Sequence, residues 1–273
     1  ASIALRNQEL TDAKRYIDES FMNESTSNAA KMWNYRSKIY LQIAQKQAEI
    51  DSEAIFKATE AHIKCLERDK KGRIIVRKWT AEEDVKTGLI QCGYLLFNTA
   101  LDKYNANDYN SALKHYSAIF DIIPLDTENQ LGKIKKDIIL YEMFRCSKAL
   151  NDISKSKDYL EQLIALKFNH SSVYVEMSNI YQEEGNTDKA LSYLNLGRES
   201  LPGDQGIINA EINLYIKLGR TAELIEKLTE AITLDPNYDH ANQNLFEVMI
   251  NLDPQKAILK LKNFLGNNPS SFL

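Results

Sequence analysis

The chain has few of the residues that interrupt helices, with five prolines and ten glycines among its 273 residues. Strand patterns are also nearly absent, whereas Leu, Ala, Lys, Glu and Gln, which favour helices, are abundant. No apolar run approaches the roughly 18 residues that a helix needs to cross a bilayer. These absences predict an all-α, soluble chain without a transmembrane segment.

Signatures of catalysis, metal binding and cofactor binding are missing as well. The four histidines share no helical i, i+4 spacing, and there is no H-E-x-x-H, C-x-x-C, nucleophile-elbow or phosphate-loop motif. The three cysteines, Cys65, Cys92 and Cys146, are odd in number and widely spaced. We therefore predict no enzyme, no cofactor and no metal site, and we interpret the cysteines as buried thiols.

Positive charge is concentrated in one short stretch, from Lys70 to Trp79, which holds five cations and Gly72. A Trp among cations is a residue combination that can stack on nucleic-acid bases. The chain as a whole has a net charge of −4, which opposes attraction to a phosphate backbone. We interpret the stretch as a solvated loop between repeats and predict no nucleic-acid partner.

A pattern with a period of 34 residues is present in the C-terminal half. Tyr181, Gly185 and Pro202 recur as Tyr215, Gly219 and Pro236, each offset by 34 residues. This succession of a Tyr, a turn Gly and a closing Pro resembles the tetratricopeptide repeat family, whose unit is two antiparallel helices joined by a short turn. The resemblance implies an all-α, right-handed α-solenoid of stacked antiparallel helix pairs, with a concave face that binds other molecules.

The repeat pattern extends over most of the chain and predicts a single solenoid domain over residues 1–273. It divides into a partial repeat, 1–29, and repeats at about 30–70, 93–126, 137–170, 171–204, 205–238 and 239–271, of which the first full copy is irregular. Thr80 to Glu83 has the pattern of a capping box, and Asp253 with Pro254 that of another helix start. Glu211 departs from the family pattern, because a large apolar residue is usual at its position.

The chain does not begin with Met, and removal of a signal peptide is one ordinary cause. The array also resembles exported bacterial repeat proteins of this family. We therefore expect a periplasmic or otherwise exported location rather than a cytoplasmic one.

In the family, the first helix of each repeat lines the concave groove, with its second, fifth, ninth and twelfth positions facing outward. Those positions give a set of candidate partner-binding residues rich in aromatic and basic side chains: Tyr94, Phe97, Leu101, Tyr104, Tyr141, Arg145, Lys148, Asn34 and Lys38. Such side chains are typical anchors of protein interfaces. The alternative is that the residues around Gln42 to Asp51 and Thr127 to Lys136 fold over the stripe and make it ordinary core. The Lys and Asn pattern with which some family members grip an acidic chaperone tail is not carried over.

Three functions are open at this point. The leading hypothesis is a noncatalytic scaffold that binds a protein or an extended peptide in the concave groove. The second is a structural or assembly component of a bacterial envelope complex that uses its convex face or its ends. The third is a solenoid that binds a small molecule or a glycan.

Overall fold

The computed structural model of the chain describes residues 1–234 together with Glu247 and Asn251. Across these residues every regular element is a helix, and strand-like pairing is limited to one isolated bridge between Arg68 and Ile74. The all-α prediction is therefore confirmed, and the helices pack in consecutive antiparallel pairs as the solenoid class requires. The chain divides into two compact units, Ala1–Tyr159 and Leu160–Leu273.

The first unit consists of helices joined by short turns and loops. They are α1 (Ser2–Arg6), α2 (Leu10–Met22), α3 (Ala30–Lys46), α4 (Ala54–Cys65), α5 (Glu82–Asn105), α6 (Tyr109–Ile119), α7 (Lys136–Ala149) and the start of α8 (Ile153–Ala165), with 3-10 helices at Ala48–Ile50 and Ile123–Leu125. The pairs α3/α4 and α5/α6 are helical hairpins, and contacts of α4 with α5 and of α6 with α7 join successive pairs. We call α3, α5 and α7 the first helices, and α4, α6 and α8 the second helices.

The second unit by itself also consists of consecutive helices, α9 (Ser172–Glu183), α10 (Thr187–Ser200), α11 (Gln205–Leu218) and α12 (Thr221–Leu234). The side chains of Asn186 and Asp204 cap α10 and α11 by accepting from backbone N–H groups in the first turn. Gly219 ends α11 in the left-handed conformation, at φ 65°, which a side chain would disfavour. The turn glycine of this copy of the 34-residue pattern is therefore the helix C-cap, whereas in the preceding copy Glu184 is the C-cap and Gly185, also at positive φ, follows it.

The core of the first unit is built from large side chains of one helix against small residues of its partner. Tyr40 on α3 is fully buried, as are Ala58 and Ala61 on α4. The Tyr40 hydroxyl donates to Asp18 on α2 at 2.6 Å, so its one polar atom is satisfied. All three cysteines are buried free thiols, which confirms the prediction for them.

The predicted capping box at Thr80 is wrong. Helix α5 begins at Glu82, and its N-cap residue, Ala81, has no side chain that could accept a hydrogen bond. Thr80 lies one residue too early, and its hydroxyl instead donates to the Asp84 carboxylate at 3.4 Å. Three acidic residues in the first turn favour the helix start electrostatically.

The predicted repeats from 30 to 238 each contain one helix pair, but α5 begins at Glu82, well before the predicted boundary at residue 93. The single-domain assignment stays a prediction. The predicted repeat 239–271, including the helix start at Asp253 and Pro254, lies outside the described residues apart from Glu247 and Asn251.

The basic stretch forms part of the loop that joins α4 to α5. Arg73 and Arg77 both contact the Asp69 carboxylate, at 3.0 and 2.9 Å. Hydrogen bonds led by that from the Arg73 backbone N–H lower the pKa of Asp69 to about 2. Two of the five cations therefore have an acidic partner inside the loop itself.

Candidate functional site

The candidate residues of α5 form a stripe that is partly exposed. Tyr94 and Leu101 have 43% and 39% of their surface accessible, whereas Phe97 and Tyr104 are half-buried. The Phe97 ring meets the buried Tyr116 ring of α6 edge to face, with centroids 5.9 Å apart. Phe97 therefore connects the surface to the core, while Tyr94 and Leu101 offer free apolar area.

Tyr104 links α5 to α7. The Arg145 guanidinium lies over the Tyr104 ring, 4.4 Å from its centroid, and the same Arg pairs with Glu142 at 2.8 Å. Burial raises the pKa of the Glu142 carboxyl, and the charge of Arg145 opposes that rise. The Tyr109 ring packs edge to face on Tyr104 at 5.3 Å. These contacts hold an aromatic ring and a guanidinium in a defined relative position.

The remaining α7 candidates continue along the same helix. Tyr141 is half-buried, with its ring 6.0 Å from that of Phe144, and Lys148 is exposed near the end of the helix. Together with Asn34 and Lys38 on α3, the candidates of α5 and α7 make up what we call the first-helix face.

A loop meets one end of this face. The Tyr94 hydroxyl donates to the backbone carbonyl of Gln130 at 2.7 Å, and Leu131 of the same loop is buried. A Cβ built on Gly93 would lie 2.7 Å from Leu131 Cδ2, so glycine at this position leaves room for the loop. The loop thus reaches the α5 stripe at Gly93 and Tyr94, whereas Leu101, two turns further on, is exposed.

Asn34 and Lys38 line a pocket of about 200 Å³ between α3 and α5. Asn34 is 2% exposed, and within the described part of the chain neither its side chain nor the Lys38 ammonium has a hydrogen-bond or ion-pair partner. His62 and Gln91 also line the pocket. The partly exposed Lys38 ammonium is thus a donor that a ligand at the α3 end of the face could reach, whereas Asn34 and His62 are almost fully covered.

His62 is neutral at physiological pH, because burial lowers its pKa to about 4. Its Nδ1 lies 2.8 Å from the Ala58 carbonyl oxygen, so Nδ1 carries the proton and Nε2 is an acceptor. A Cβ built on Gly88 would lie 2.2 Å from Nε2, and only a glycine allows this approach of α5 to α4. Sequence reasoning missed this pair because no motif relates a lone histidine to a mid-helix glycine.

Comparison with known proteins identifies one segment of the chain. Residues 171–197, which comprise α9 and most of α10, match the tetratricopeptide repeat family. This segment has the sequence pattern of a tetratricopeptide repeat. Inside this repeat α10 approaches α9 closely at Gly197, because a Cβ built on this glycine would lie 2.9 Å from Tyr174 Cβ. The resemblance predicted from the 34-residue pattern is thereby confirmed.

Solved structures resemble the chain at low sequence identity. A thermophilic tetratricopeptide repeat protein of Thermus thermophilus is 17% identical, with 65% of this chain and 92% of that one covered and a TM-score of 0.39. PilF of Pseudomonas aeruginosa is 15% identical, with 88% and 98% covered and a TM-score of 0.41. No curated protein matches the chain in sequence.

The tetratricopeptide repeat indicates a class of function. Repeats of this family are generally parts of noncatalytic scaffolds that bind proteins or peptides. Within the residues that the structure describes, no three His, Cys, Asp or Glu side chains come together as a metal site would require. None of the helices in that part is both long and apolar enough to span a membrane. The exported location stays a prediction.

Proposed function

We propose that the first unit is a noncatalytic scaffold that binds an extended peptide or protein segment along the first-helix face. The observation that carries the proposal is the combination of two exposed apolar side chains, Tyr94 and Leu101, with the fixed Arg145 and Tyr104 pair on adjoining helices. An exposed apolar stripe flanked by oriented cations is the usual composition of a protein-binding surface.

Affinity would come chiefly from the aromatic and apolar side chains. Complete burial of a fully exposed Leu is worth roughly 1.5 to 3 kcal/mol, so covering the 39% of Leu101 that is exposed contributes about 1 kcal/mol. A Tyr loses little conformational entropy when it is covered. Phe97 and Tyr141 are half-buried, so they would add area at the edges of the contact. A micromolar interaction corresponds to about 8 kcal/mol net of the cost of association, so these two side chains serve as anchors and the rest of the face must supply most of the contact area.

Direction and specificity would come from the polar groups at the two ends. Lys38 and Asn34 lie in the α3 pocket, and Arg145 and Lys148 lie on α7. The cations favour an acidic or carbonyl-rich segment near either end, whereas the middle of the face is apolar. An extended segment with an apolar centre and polar ends matches this order of groups.

The test is a selection of random twelve-residue peptides on the immobilised full chain, followed by fluorescence anisotropy with each enriched peptide. The doubly substituted Tyr94→Ala, Leu101→Ala chain should weaken binding at least about tenfold, because most binding energy resides in such anchors. The matched control is Ile153→Ala on α8, since Ile153 is 43% exposed and lies outside the face.

Peptides that bind the double variant and the wild type equally would refute the proposal. Circular dichroism must show unchanged helicity in all variants. Exposed side chains contribute little to folding, so loss of helicity on Leu101→Ala alone would also contradict the description of this residue as surface.

A further inference from the structure

A second groove lies on the other set of helices. It has a volume of about 650 Å³ and runs between α4 and the segment formed by α6 and the 3-10 helix Ile123–Leu125. We call it the second-helix groove. Its apolar lining consists of Phe56, Ile63, Ala118, Phe120, Pro124 and Leu125. A cavity of this size has room for one or two large side chains of a partner.

The apolar wall is held in position by its neighbours. The Phe56 ring is 4.7 Å from the His115 ring, and the Lys114 ammonium lies 4.4 Å from the Phe56 centroid. Lys114 is itself paired with Glu53 at 2.5 Å. Phe56 is therefore fixed from two sides, and a ligand would meet a largely preformed wall.

The polar side chains inside the groove are largely satisfied. The Thr59 hydroxyl donates to the Ile55 carbonyl at 2.8 Å, and Lys64 pairs with Glu67 at 2.6 Å. The groove thus offers few convergent donors to a small polar ligand, and its interior suits an apolar side chain.

The rim of the groove is acidic. Glu60 and Asp121 are exposed lining residues on opposite sides, and in the described part of the chain neither carboxylate has a cationic partner. The charged residues of the lining are therefore three acids, Glu60, Glu67 and Asp121, and one base, Lys64. The rim therefore attracts cations and repels phosphate backbones and anionic membrane surfaces. A metal ion is not favoured, since no three ligating side chains cluster among the described residues.

From this arrangement we propose that the second-helix groove binds a basic apolar segment of a protein partner, in which a large apolar side chain is flanked by Lys or Arg. The apolar side chain enters between Phe56 and Phe120, and the flanking cations pair with Glu60 and Asp121. The site is separate from the first-helix face, so the chain could join two partners. Such a contact through the second helices is the kind that an assembly component would use.

The experiment uses the full chain and a displayed library of random twelve-residue peptides. The library is first depleted on the Glu60→Lys, Asp121→Lys variant and then selected on the wild type. The matched control is Glu19→Lys, Glu24→Lys, which makes the same change in net charge at two exposed positions away from the groove. Both variants alter exposed side chains, and circular dichroism checks that they fold.

We expect enriched peptides to carry Lys or Arg next to a large apolar residue. Their affinity should fall about tenfold or more on the groove variant, remain within about twofold on the control, and weaken as salt is raised. Enrichment of peptides without basic residues, equal loss on both variants, or no enrichment would overturn the proposal. Peptides that lose affinity only on Tyr94→Ala, Leu101→Ala bind the first-helix face, so the two proposals fail independently.

Discussion

Replacement of Glu211 should stabilise the second unit at neutral pH. Glu211 lies on α11 and is 1% exposed, at a position where the repeat usually has a large apolar residue. Its two carboxylate oxygens are buried and have no hydrogen-bond partner in the described residues. The nearest cations, Arg198 and Lys227, are 3.6 and 3.7 Å away, too far for hydrogen bonds.

Those two cations are also shared with a second carboxylate. Glu230 contacts Arg198 at 2.6 Å and Lys227 at 3.3 Å, so it is closer to both than Glu211 is. Glu226, which lies with Glu230 on α12, adds further negative charge near Glu211. Glu211 is thus a buried carboxylate whose neighbouring cations are already paired, and burial raises its pKa to about 7 from an ordinary value of 4.5.

The size and sign of the effect follow from linkage. Between pH 4.5 and 7 the folded state holds a proton that the unfolded state has lost, so stability falls as pH rises through this window and is level above it. A shift from 4.5 to about 7 corresponds to a cost on the order of 3 kcal/mol above pH 7. Glu211→Leu should recover much of this, because Arg198 and Lys227 keep Glu230 as a partner.

The assay is urea unfolding of the wild type, Glu211→Leu and Glu211→Gln between pH 4.5 and 8, with hydrogen exchange of α11 amides to locate the change. The control is Glu183→Gln, which removes an exposed carboxylate on α9. The wild type and the Glu183→Gln control should both lose stability across the window relative to the two Glu211 variants. Parallel pH profiles, or a less stable Glu211→Leu protein at pH 7.5, would refute the reasoning.

Three further substitutions test the packing. Gly88→Ala should lower the melting temperature, since the added Cβ would lie 2.2 Å from His62 Nε2. Adding His62→Ala should restore part of this loss, and losses that simply add would contradict the contact. Tyr116→Phe should raise the free energy of unfolding by about 1 kcal/mol, because it removes a buried hydroxyl with no partner among the described residues, and a lower value in urea unfolding would count against this. Gly197→Ala should destabilise by roughly 1 to 3 kcal/mol through contact with Tyr174, so an unchanged melt would show that α10 can shift freely.

Features that depend on residues close together along the chain were predictable from the sequence. The helix pairs between residues 30 and 234, the turn at Gly219 and the buried cysteines follow from periodicity and local propensity. The start of α5 was not predictable from a capping pattern. The Thr80 hydroxyl can bond either to the backbone or to a nearby side chain, and in the structure it donates to the Asp84 carboxylate. Nor does the pattern alone show which members of the α5 stripe reach the core, since the contact of Phe97 depends on how closely α6 approaches.

The sequence by itself therefore determined the helical class and the repeat, because a 34-residue period and the positions of Gly and Pro act on the chain locally. Tertiary structure alone decided which surfaces are available. Three features depend on residues that come together from different parts of the chain. They are the approach of Gly88 to His62, the groove between Phe56 and Phe120, and the burial of the Glu211 carboxylate. Such contacts depend on the distance and angle between packed helices, which the order of residues along one helix does not encode.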